Sequence, residues 1–328
     1  MLSVVASTFA LHTAHMPGDA RATTFITGAD GFVGTELVKV LVARGHHVLG
    51  LTPSVDAAQR LRRAGAVPVM GNLLETGGWQ DEAAADWVFH LPSHSDCGPW
   101  VTQRRATSIS RARLLMDAHL LEAVAAGATR RVVYVSDTSC YGATGLRPIT
   151  EDERPRPSAP GRCFTPALDR LDGYIVSGLP IVTAFPGWVY GNASWFRERV
   201  IEPVMGCRHV LQFGKTGPWV SPIHLHDCAR ALVHLAEHGE AGGRYFVVNN
   251  DPIRLNEFAG AFARLANRPL RVWRMPAVAA RLAVGHLLAH DLQGDAVFSN
   301  IRLRGIGFHF RYPTLDQGLR QVIGALHE

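Results

Sequence analysis

The chain has 328 residues, is 47% hydrophobic and 19% charged, and carries a net charge of +5 at neutral pH. This length and composition are typical of one large domain, or of a domain with a smaller lobe, and exclude a disordered chain. The basic clusters are scattered and lack interleaved aromatic residues, so we expect no nucleic-acid binding. Five cysteines without a CxxC spacing favour reduced thiols over a disulfide framework or a zinc site, and we expect no metal.

Residues 1–22 are predicted to be an extension that precedes the folded part. Their apolar run has no basic region before it, which differs from a secretory signal. No stretch reaches the ~18–20 uninterrupted apolar residues that a membrane span needs. We therefore expect a cytoplasmic protein that does not enter a membrane.

From Thr23 onward, apolar strands alternate with amphipathic helices, a pattern that predicts a parallel sheet covered on both faces. The predicted strands cover residues 23–27, 47–51, 67–70, 87–91, 131–136 and 181–185. The predicted helices cover 32–44, 57–64 and a long stretch over 99–127. Prolines make 154–160 a loop. Beyond Gly187 the pattern loosens, with helices near 195–203, 226–238, 255–266 and 277–289 and short strands such as 243–248.

This pattern predicts an α/β fold with a doubly wound parallel sheet and a smaller C-terminal lobe. Residues 23–187 would form the dinucleotide-binding domain. Residues 188–328 would form mainly the substrate-binding lobe, with some elements returning to the sheet.

Three glycines, Gly28, Gly31 and Gly34, follow the first strand and open the first helix. Gly28 would permit the tight turn, Gly31 the approach of a pyrophosphate, and Gly34 close packing of helix and strand. This spacing in a strand–turn–helix context predicts a dinucleotide cradle.

Four later segments complete a family resemblance. They read VVYVSDTSCYG at 132–142, FPGWVYG at 185–191, HLHDCARA at 224–231 and SNIRL at 299–303. From about Thr23 to its end, the chain resembles the extended short-chain dehydrogenases/reductases of the NAD-dependent epimerase/dehydratase type. The resemblance implies a Rossmann fold with a nicotinamide nucleotide across the C-terminal edge of its sheet.

The resemblance also implies which positions contact the cofactor. The pyrophosphate would lie against Gly28, Asp30, Gly31, Phe32 and Val33. Thr52 and Ser54 would lie near the adenosine ribose, and Asn72 and Leu73 beside adenine. Leu91, Pro92 and Ser93 would lie beside the nicotinamide ribose, and Pro186, Gly187 and Val189 would flank the nicotinamide. Ser136 is a further candidate cofactor contact. No acid ends the second strand, which favours NADP over NAD without excluding either.

The usual Tyr-x-x-x-Lys pair is absent, because Thr35 and Leu211 stand four residues before Lys39 and Lys215, the two lysines of the chain. The resemblance puts Gly161 at the Tyr position and Thr165 at the Lys position. It also puts Asp137 at a usual Ser or Thr, and Thr107 at the supporting Asn. Reduction of a ketone still needs a proton donor. The candidate catalytic residues are Asp137, Thr138 and Tyr141, and the candidate substrate contacts are His94, Arg162, Trp188 and Tyr190.

Three functions remain open from the sequence. The first is an atypical NAD(P)-dependent oxidoreductase, ketoreductase-like, acting on a small aromatic or polyketide-like molecule of secondary metabolism. The second is a non-redox cyclase, isomerase or lyase with Asp137 as acid or base. The third is a non-catalytic protein that senses dinucleotides.

Several residues also have a purely structural interpretation. Asp137 could only cap its loop, and Tyr141 and Tyr190 could only pack. His224 and His226 fit a metal site or, more simply, a polar helix start. The apolar stripe of 99–127 fits either a homodimer interface or docking on the sheet.

Overall fold

The structure, a computed structural model, describes residues 21–91, 103–158, 161–213, 216–276, 279 and 294–326. Its strands in chain order are β1 Thr23–Thr27, β2 His47–Thr52, β3 Val67–Met70, β4 Trp87–His90, β5 Arg131–Val135, β6 Gly145–Ile149, β7 Ile181–Pro186, β8 Trp188–Tyr190, β9 His209–Phe213, β10 Trp219–Val220, β11 Pro222–His224, β12 Arg244–Val247, β13 Ile253–Arg254, β14 Arg271–Met275 and β15 Ala296–Phe298.

The helices of the described ranges are α1 Phe32–Ala43, α2 Val55–Arg63, α3 Trp79–Glu82, α4 Gln103–Ala125, α5 Thr165–Val176, α6 Ser194–Phe196, α7 Glu202–Met205, α8 Leu225–His238, α9 Glu257–Leu265, α10 Ile301–Gly305 and α11 Leu315–Gly324. A π-helical turn, Arg197–Ile201, joins α6 to α7. Across these ranges, no helix combines the length and the apolar character needed to cross a membrane.

The central sheet is parallel, and within the described residues it has seven strands in the order β12-β7-β5-β4-β1-β2-β3. Its strands are apolar on both faces because helices cover both. Buried side chains of α1 and α8 fill one face, and those of α4 and α5 fill the other. Parallel strands end at one edge, so β1, β2, β4, β5 and β7 bring their following loops together there.

The C-terminal lobe has a core of its own. Tyr190, Phe196, Phe258 and Phe262 pack there edge to face, with ring centroids 5.5–5.9 Å apart. The pairs β9·β14, β10·β13 and β8·β11 form small sheets around this core. These short pairs lie outside the strand pattern predicted from the sequence, because each joins residues far apart in the chain.

The predicted α/β fold with its doubly wound parallel sheet is confirmed. Most predicted bounds differ from the observed ones by one or two residues. Helix α2 begins at Val55, before the predicted 57, because the Ser54 side chain accepts a hydrogen bond from the Ala57 amide and caps it. The predicted helix 99–127 is α4 over its described part, and the predicted helix 277–289 lies almost wholly outside the described residues.

Candidate active site

The glycine cradle lies between β1 and α1. Gly28 has a φ of +66°, and a Cβ there would overlap the carbonyl oxygen of Leu91 at the end of β4. A Cβ on Gly34 would overlap the carbonyl oxygen of Gly28. Both positions therefore need glycine, the first for its backbone conformation and both for close approach.

The start of α1 is suited to an anion. Gly31 is its N-cap, and no side chain caps the helix or places an acid in its first turn. The first amides of a helix have no intrahelical acceptor, and the helix dipole favours negative charge there. The backbone of Phe32 and Val33 thus fits a pyrophosphate, the group that a dinucleotide would bring.

The positions expected at the adenosine end are held by local structure. Thr52 is fully buried at the end of β2, and its hydroxyl accepts a hydrogen bond from the amide of exposed Ser54 at 3.2 Å. Asn72 accepts a hydrogen bond from the Leu74 amide at 3.0 Å, and Leu73 is buried in the core beneath α4. The polar groups of Thr52 and Asn72 are thus each bonded to a backbone amide two residues further on.

A cavity of about 350 Å³, which we call the cleft, lies in front of this cradle. Phe32 and Val33 line it from α1, and Asp137 and Thr138 line it from the loop after β5. Pro186, Gly187, Trp188 and Val189 line it from the end of β7 and the start of β8. The cleft thus brings together five predicted cofactor positions, two predicted catalytic residues and one predicted substrate residue.

Asp137 is exposed and lines the cleft. Its Oδ1 accepts a hydrogen bond from the Ser139 amide at 2.7 Å and caps the short 3₁₀ turn Thr138–Cys140. The capping role and the cleft position coexist, since the hydrogen bond uses one of two carboxyl oxygens. Asp137 is therefore a carboxyl group held in a fixed orientation beside the cleft.

Backbone occupies the space beside Gly161, where the family resemblance expects the catalytic tyrosine. A Cβ on Gly161 would overlap the carbonyl oxygen of Ser139 and come within 3.0 Å of the Cys140 amide nitrogen. The Ser139 carbonyl is itself held by the amides of Ser158 at 3.0 Å and Gly142 at 3.1 Å. Beside Gly161, the loop that presents Asp137 leaves no room for even a single methyl group.

A buried polar network supports the cleft from behind. Thr27 Oγ1 lies 2.7 Å from His90 Nδ1, and His90 Nε2 lies 2.8 Å from Asp117 Oδ1 on α4. The Tyr134 hydroxyl donates to Asp117 Oδ2 at 2.8 Å. Burial lowers the pKa of His90, which favours its neutral form. The network therefore ties the ends of β1 and β4 to α4 and β5.

Arg113 extends this network toward the loop that carries Asp137. Its guanidinium donates to the Tyr134 hydroxyl at 2.9 Å and to the Val135 carbonyl oxygen at 2.7 Å, two residues before Asp137. Arg113 is 5% exposed. The family resemblance implies Thr107 as the supporting residue of this helix, and Arg113, almost two turns further on, is bonded to the end of β5.

Two predicted site tyrosines are core residues. Tyr141 is 2% exposed, and its ring packs on Phe185 at 5.2 Å and on Phe246 at 4.8 Å. Tyr190 is fully buried against Phe196 and Phe258. Burial raises the pKa of both hydroxyls. Neither tyrosine lines the cleft, so the structure does not support the catalytic assignment of Tyr141 or the substrate assignment of Tyr190.

Of the remaining predicted positions, exposed Asp30 lines a separate cavity and not the cleft. Ser136 is 7% exposed, and its amide donates to the Ala184 carbonyl oxygen at 2.8 Å, which joins the ends of β5 and β7. Arg162 is exposed and does not line the cleft, so its substrate assignment is not supported. Pro92, Ser93 and His94 lie outside the described residues.

Two polar side chains that line the cleft were not predicted as site residues. The Ser139 hydroxyl and the Trp219 indole nitrogen are buried and without a hydrogen-bond partner among the described residues. Buried polar groups normally have partners, so these two are candidates to bind a ligand. Ser139 lies inside the 132–142 segment, which was the available signal, whereas Trp219 carried only the general signal of an aromatic-rich C-terminal lobe.

The histidines of the 224–231 segment serve the helix. His224 caps α8 by accepting from the His226 amide at 3.1 Å, and its Nε2 lies 3.0 Å from Gln321 Oε1. This is the polar helix start that the sequence offered as the simpler interpretation. Near the other end of α8, His234, Glu237 and His238 have side-chain ligand atoms within 4.8 Å of one another, away from the cleft.

Known proteins share this fold along nearly the whole chain. A UDP-glucose 4-epimerase from Thermus thermophilus, solved with NAD, has a TM-score of 0.76 at 21% identity and covers 93% of this chain and 99% of its own. The human epimerase family protein SDR39U1, solved with NADPH, has a TM-score of 0.74 at 19% identity and covers 92% and 99%. At these identities the likeness shows the fold alone.

Sequence comparison gives a ketoreductase and an epimerase-family protein. The 4-hydroxy-2-methyl-3-oxo-4-farnesyl-3,4-dihydroquinoline-1-oxide ketoreductase of Stigmatella aurantiaca is 27% identical over 275 residues, 80% of this chain and 79% of its own length. An epimerase family protein of Mycobacterium leprae is 25% identical over 311 residues, 91% and 95% of the two chains. The family model for NAD dependent epimerase/dehydratase proteins matches residues 24–249, and the chain belongs to that family.

Proposed function

We propose that the protein is an atypical NAD(P)-dependent ketoreductase that reduces a small, aromatic or polyketide-like ketone. The observation that carries the proposal is the cleft, where the start of α1, the end of β7 and the loop that carries Asp137 border one cavity. The similarity to a ketoreductase of a quinoline oxide supports the same reaction class and an aromatic substrate.

The cofactor in this proposal is NADP or NAD. The start of α1 has no side-chain cap, and Gly28 and Gly34 stand at positions that only glycine can occupy. Both features support the binding of a pyrophosphate there. The end of β2 offers Thr52 and Ser54 but no acid for a ribose 2′-hydroxyl, which favours NADP. When bound, the reduced nicotinamide would supply a hydride to the carbonyl carbon of the substrate.

The protein must then deliver a proton to the alkoxide oxygen. The proposed source is a water held by Asp137 and Thr138, and the Ser139 hydroxyl, which also borders the cleft, would bind the substrate oxygen. Apolar walls from Phe32, Val189 and Trp195 would exclude water around the reacting carbon.

The variant Asp137→Asn tests the proposed role of the Asp137 carboxyl group in proton delivery. An asparagine retains the oxygen that accepts from the Ser139 amide, so the loop keeps its geometry while the acid is lost. We expect ketone-dependent NADPH oxidation to fall by about 10²- to 10⁴-fold. The Kd for NADPH, measured by fluorescence titration, should stay unchanged, as should turnover in the control Asp169→Asn on the exposed side of α5. Unaltered turnover in Asp137→Asn would reduce Asp137 to a capping residue.

A non-redox reaction is the second candidate, favoured by the loss of the tyrosine position at Gly161. In that case Asp137 would act as acid or base while the cofactor, if bound, is not consumed. NADPH deuterated at C4 separates the two: deuterium in the product requires hydride transfer, whereas turnover without NADPH consumption identifies the non-redox reaction. Tight NADPH binding with no turnover of any ketone would instead point to a dinucleotide sensor.

A further inference from the structure

A second cavity, of about 610 Å³, opens in the C-terminal lobe beyond the cleft. We call it the lobe groove. Val200, Val210 and Ala259 form its floor and are 3–5% exposed, because they belong to the core of the lobe. Leu211 on β9 and Pro203 on α7 form its wall. The lobe groove is larger than the cleft, and the surface that lines it is mostly apolar.

The lobe groove has few polar groups, and most of them have a hydrogen-bond partner or a neighbour of opposite charge. Gln212 is 6% exposed, and its amide donates to the Asn256 carbonyl oxygen at 3.0 Å. Glu198 and Arg199 are neighbours at the exposed rim and carry opposite charges. Among the described residues that line it, the only other basic side chain is exposed His209. A nucleoside diphosphate, with at least two negative charges, would find little compensation here.

Two tryptophans connect the lobe groove with the cleft. Trp188 and Trp195 line both cavities, and their rings meet edge to face at 5.2 Å. The Trp195 indole donates to the Val189 carbonyl oxygen at 2.7 Å, which fixes that ring beside the proposed nicotinamide position. A molecule that reacts in the cleft can therefore extend along this pair into the lobe groove without leaving apolar surface.

We propose that the lobe groove binds a hydrocarbon chain carried by the ketone substrate, so that the carbonyl lies in the cleft and the chain lies over Leu211. This substrate class rests on the proposed ketoreductase function. The groove itself is defined by its apolar floor, by its tryptophan junction with the cleft and by its shortage of cations. The same features disfavour a sugar nucleotide as the substrate.

The test measures binding rather than turnover, with alkyl phenyl ketones from acetophenone to nonanophenone as probes. Their Kd values follow from quenching of intrinsic tryptophan fluorescence in the full chain. Each methylene that enters the lobe groove should tighten binding roughly fourfold, the factor that corresponds to the transfer of one buried CH₂. UDP-glucose should bind more weakly than hexanophenone.

Leu211→Arg places a cation in the apolar wall and should weaken hexanophenone binding at least tenfold while leaving acetophenone binding unchanged. The milder Leu211→Ser should reduce the gain per methylene, and it serves if the arginine variant fails to fold. Leu270→Arg is the matched control, because Leu270 is 38% exposed against 39% for Leu211 and does not line the groove.

Three results would overturn the lobe groove as a chain-binding site: a Kd that is independent of chain length, equal losses in the Leu211 and Leu270 variants, or tighter binding of UDP-glucose than of hexanophenone. Failure of hydride transfer in a separate turnover assay would reject the ketoreductase and leave these binding data interpretable. The two proposals therefore fail in distinguishable ways.

Discussion

Gly161 shows at the scale of one residue how the site departs from the family resemblance. The resemblance expects a tyrosine there, but the carbonyl of Ser139 occupies the space into which its Cβ would project. The same carbonyl oxygen accepts hydrogen bonds from the amides of Ser158 and Gly142, so the loop cannot move away without losing these bonds. The loss of the tyrosine is thus coupled to the loop conformation that presents Asp137 to the cleft.

Gly161→Ala should therefore destabilise the protein by about 1–3 kcal/mol, the usual cost of forcing an extra methyl group into a packed site. It should also impair ketone reduction, because displacing Ser139 moves Asp137. The control is Gly173→Ala on α5, where a Cβ meets nothing within 4 Å and alanine should stabilise the helix by roughly 0.5–1 kcal/mol. Urea unfolding of both variants measures the difference, and a stable, active Gly161→Ala would show that the loop is free to move.

Helix α8 illustrates how one element depends on the ionisation state of its cap. His224 accepts a hydrogen bond from the His226 amide and is buried against Tyr312, whose ring lies 4.3 Å away. Burial lowers the pKa of His224 from 6.5 to about 4, against smaller raising effects of Asp227 and Gln321. The cap is therefore made by a neutral imidazole, which must gain a proton in acid.

The unfolded chain binds this proton below pH 6.5, whereas the folded chain binds it only near pH 4. The free energy of unfolding should therefore be unaffected by His224 above pH 6.5 and fall as the pH drops toward 4, by up to about 3 kcal/mol. In His224→Asn the asparagine still provides an N-capping acceptor but does not titrate. The free energy of unfolding of this variant should therefore depend less steeply on pH. The control is His238→Asn at an exposed position, which should leave this pH dependence unchanged. Denaturant unfolding at pH 4.5, 5.5, 6.5 and 7.5 measures the free energy of unfolding of each variant.

At the scale of the whole molecule, α4 and α5 form a neighbouring pair on the outside of the sheet. Buried residues of both helices, such as Leu120 and Leu168, account for the apolar stripe by docking on the sheet. Two large apolar side chains nevertheless remain exposed on this pair, Leu115 at 44% and Val176 at 88%. The predicted homodimer through the long helix remains a prediction, and these two residues are where it can be tested.

We expect Leu115→Glu to shift a homodimer toward monomer, because two carboxylates would face each other across a twofold contact. Light scattering coupled to size-exclusion chromatography gives the mass directly. Leu146→Glu, on β6 and 60% exposed, is the matched control and should leave the mass unchanged. A wild-type protein that is monomeric at all concentrations would assign the stripe of α4 to docking alone.

The sequence by itself determined the parallel sheet, its covering helices and the glycine cradle. These follow from local spacing: alternating apolar runs, helical periodicity, and three glycines in one turn between β1 and α1. It also showed the loss of the Tyr-Lys pair, since a missing residue type is visible without any structure. Asp137 and Trp188 lie within recognised segments, 132–142 and 185–191, and both line the cleft.

Only the tertiary structure decided which candidate residues share a cavity. Tyr141 and Tyr190 lie in recognised segments, yet both point into cores made by Phe246 and Phe258, residues distant in the chain. Arg113 supports β5 from a helix whose periodicity does not mark it, and the lobe groove joins residues 188 to 259. Such contacts depend on how separate elements pack together, and packing between distant segments leaves no period in the sequence.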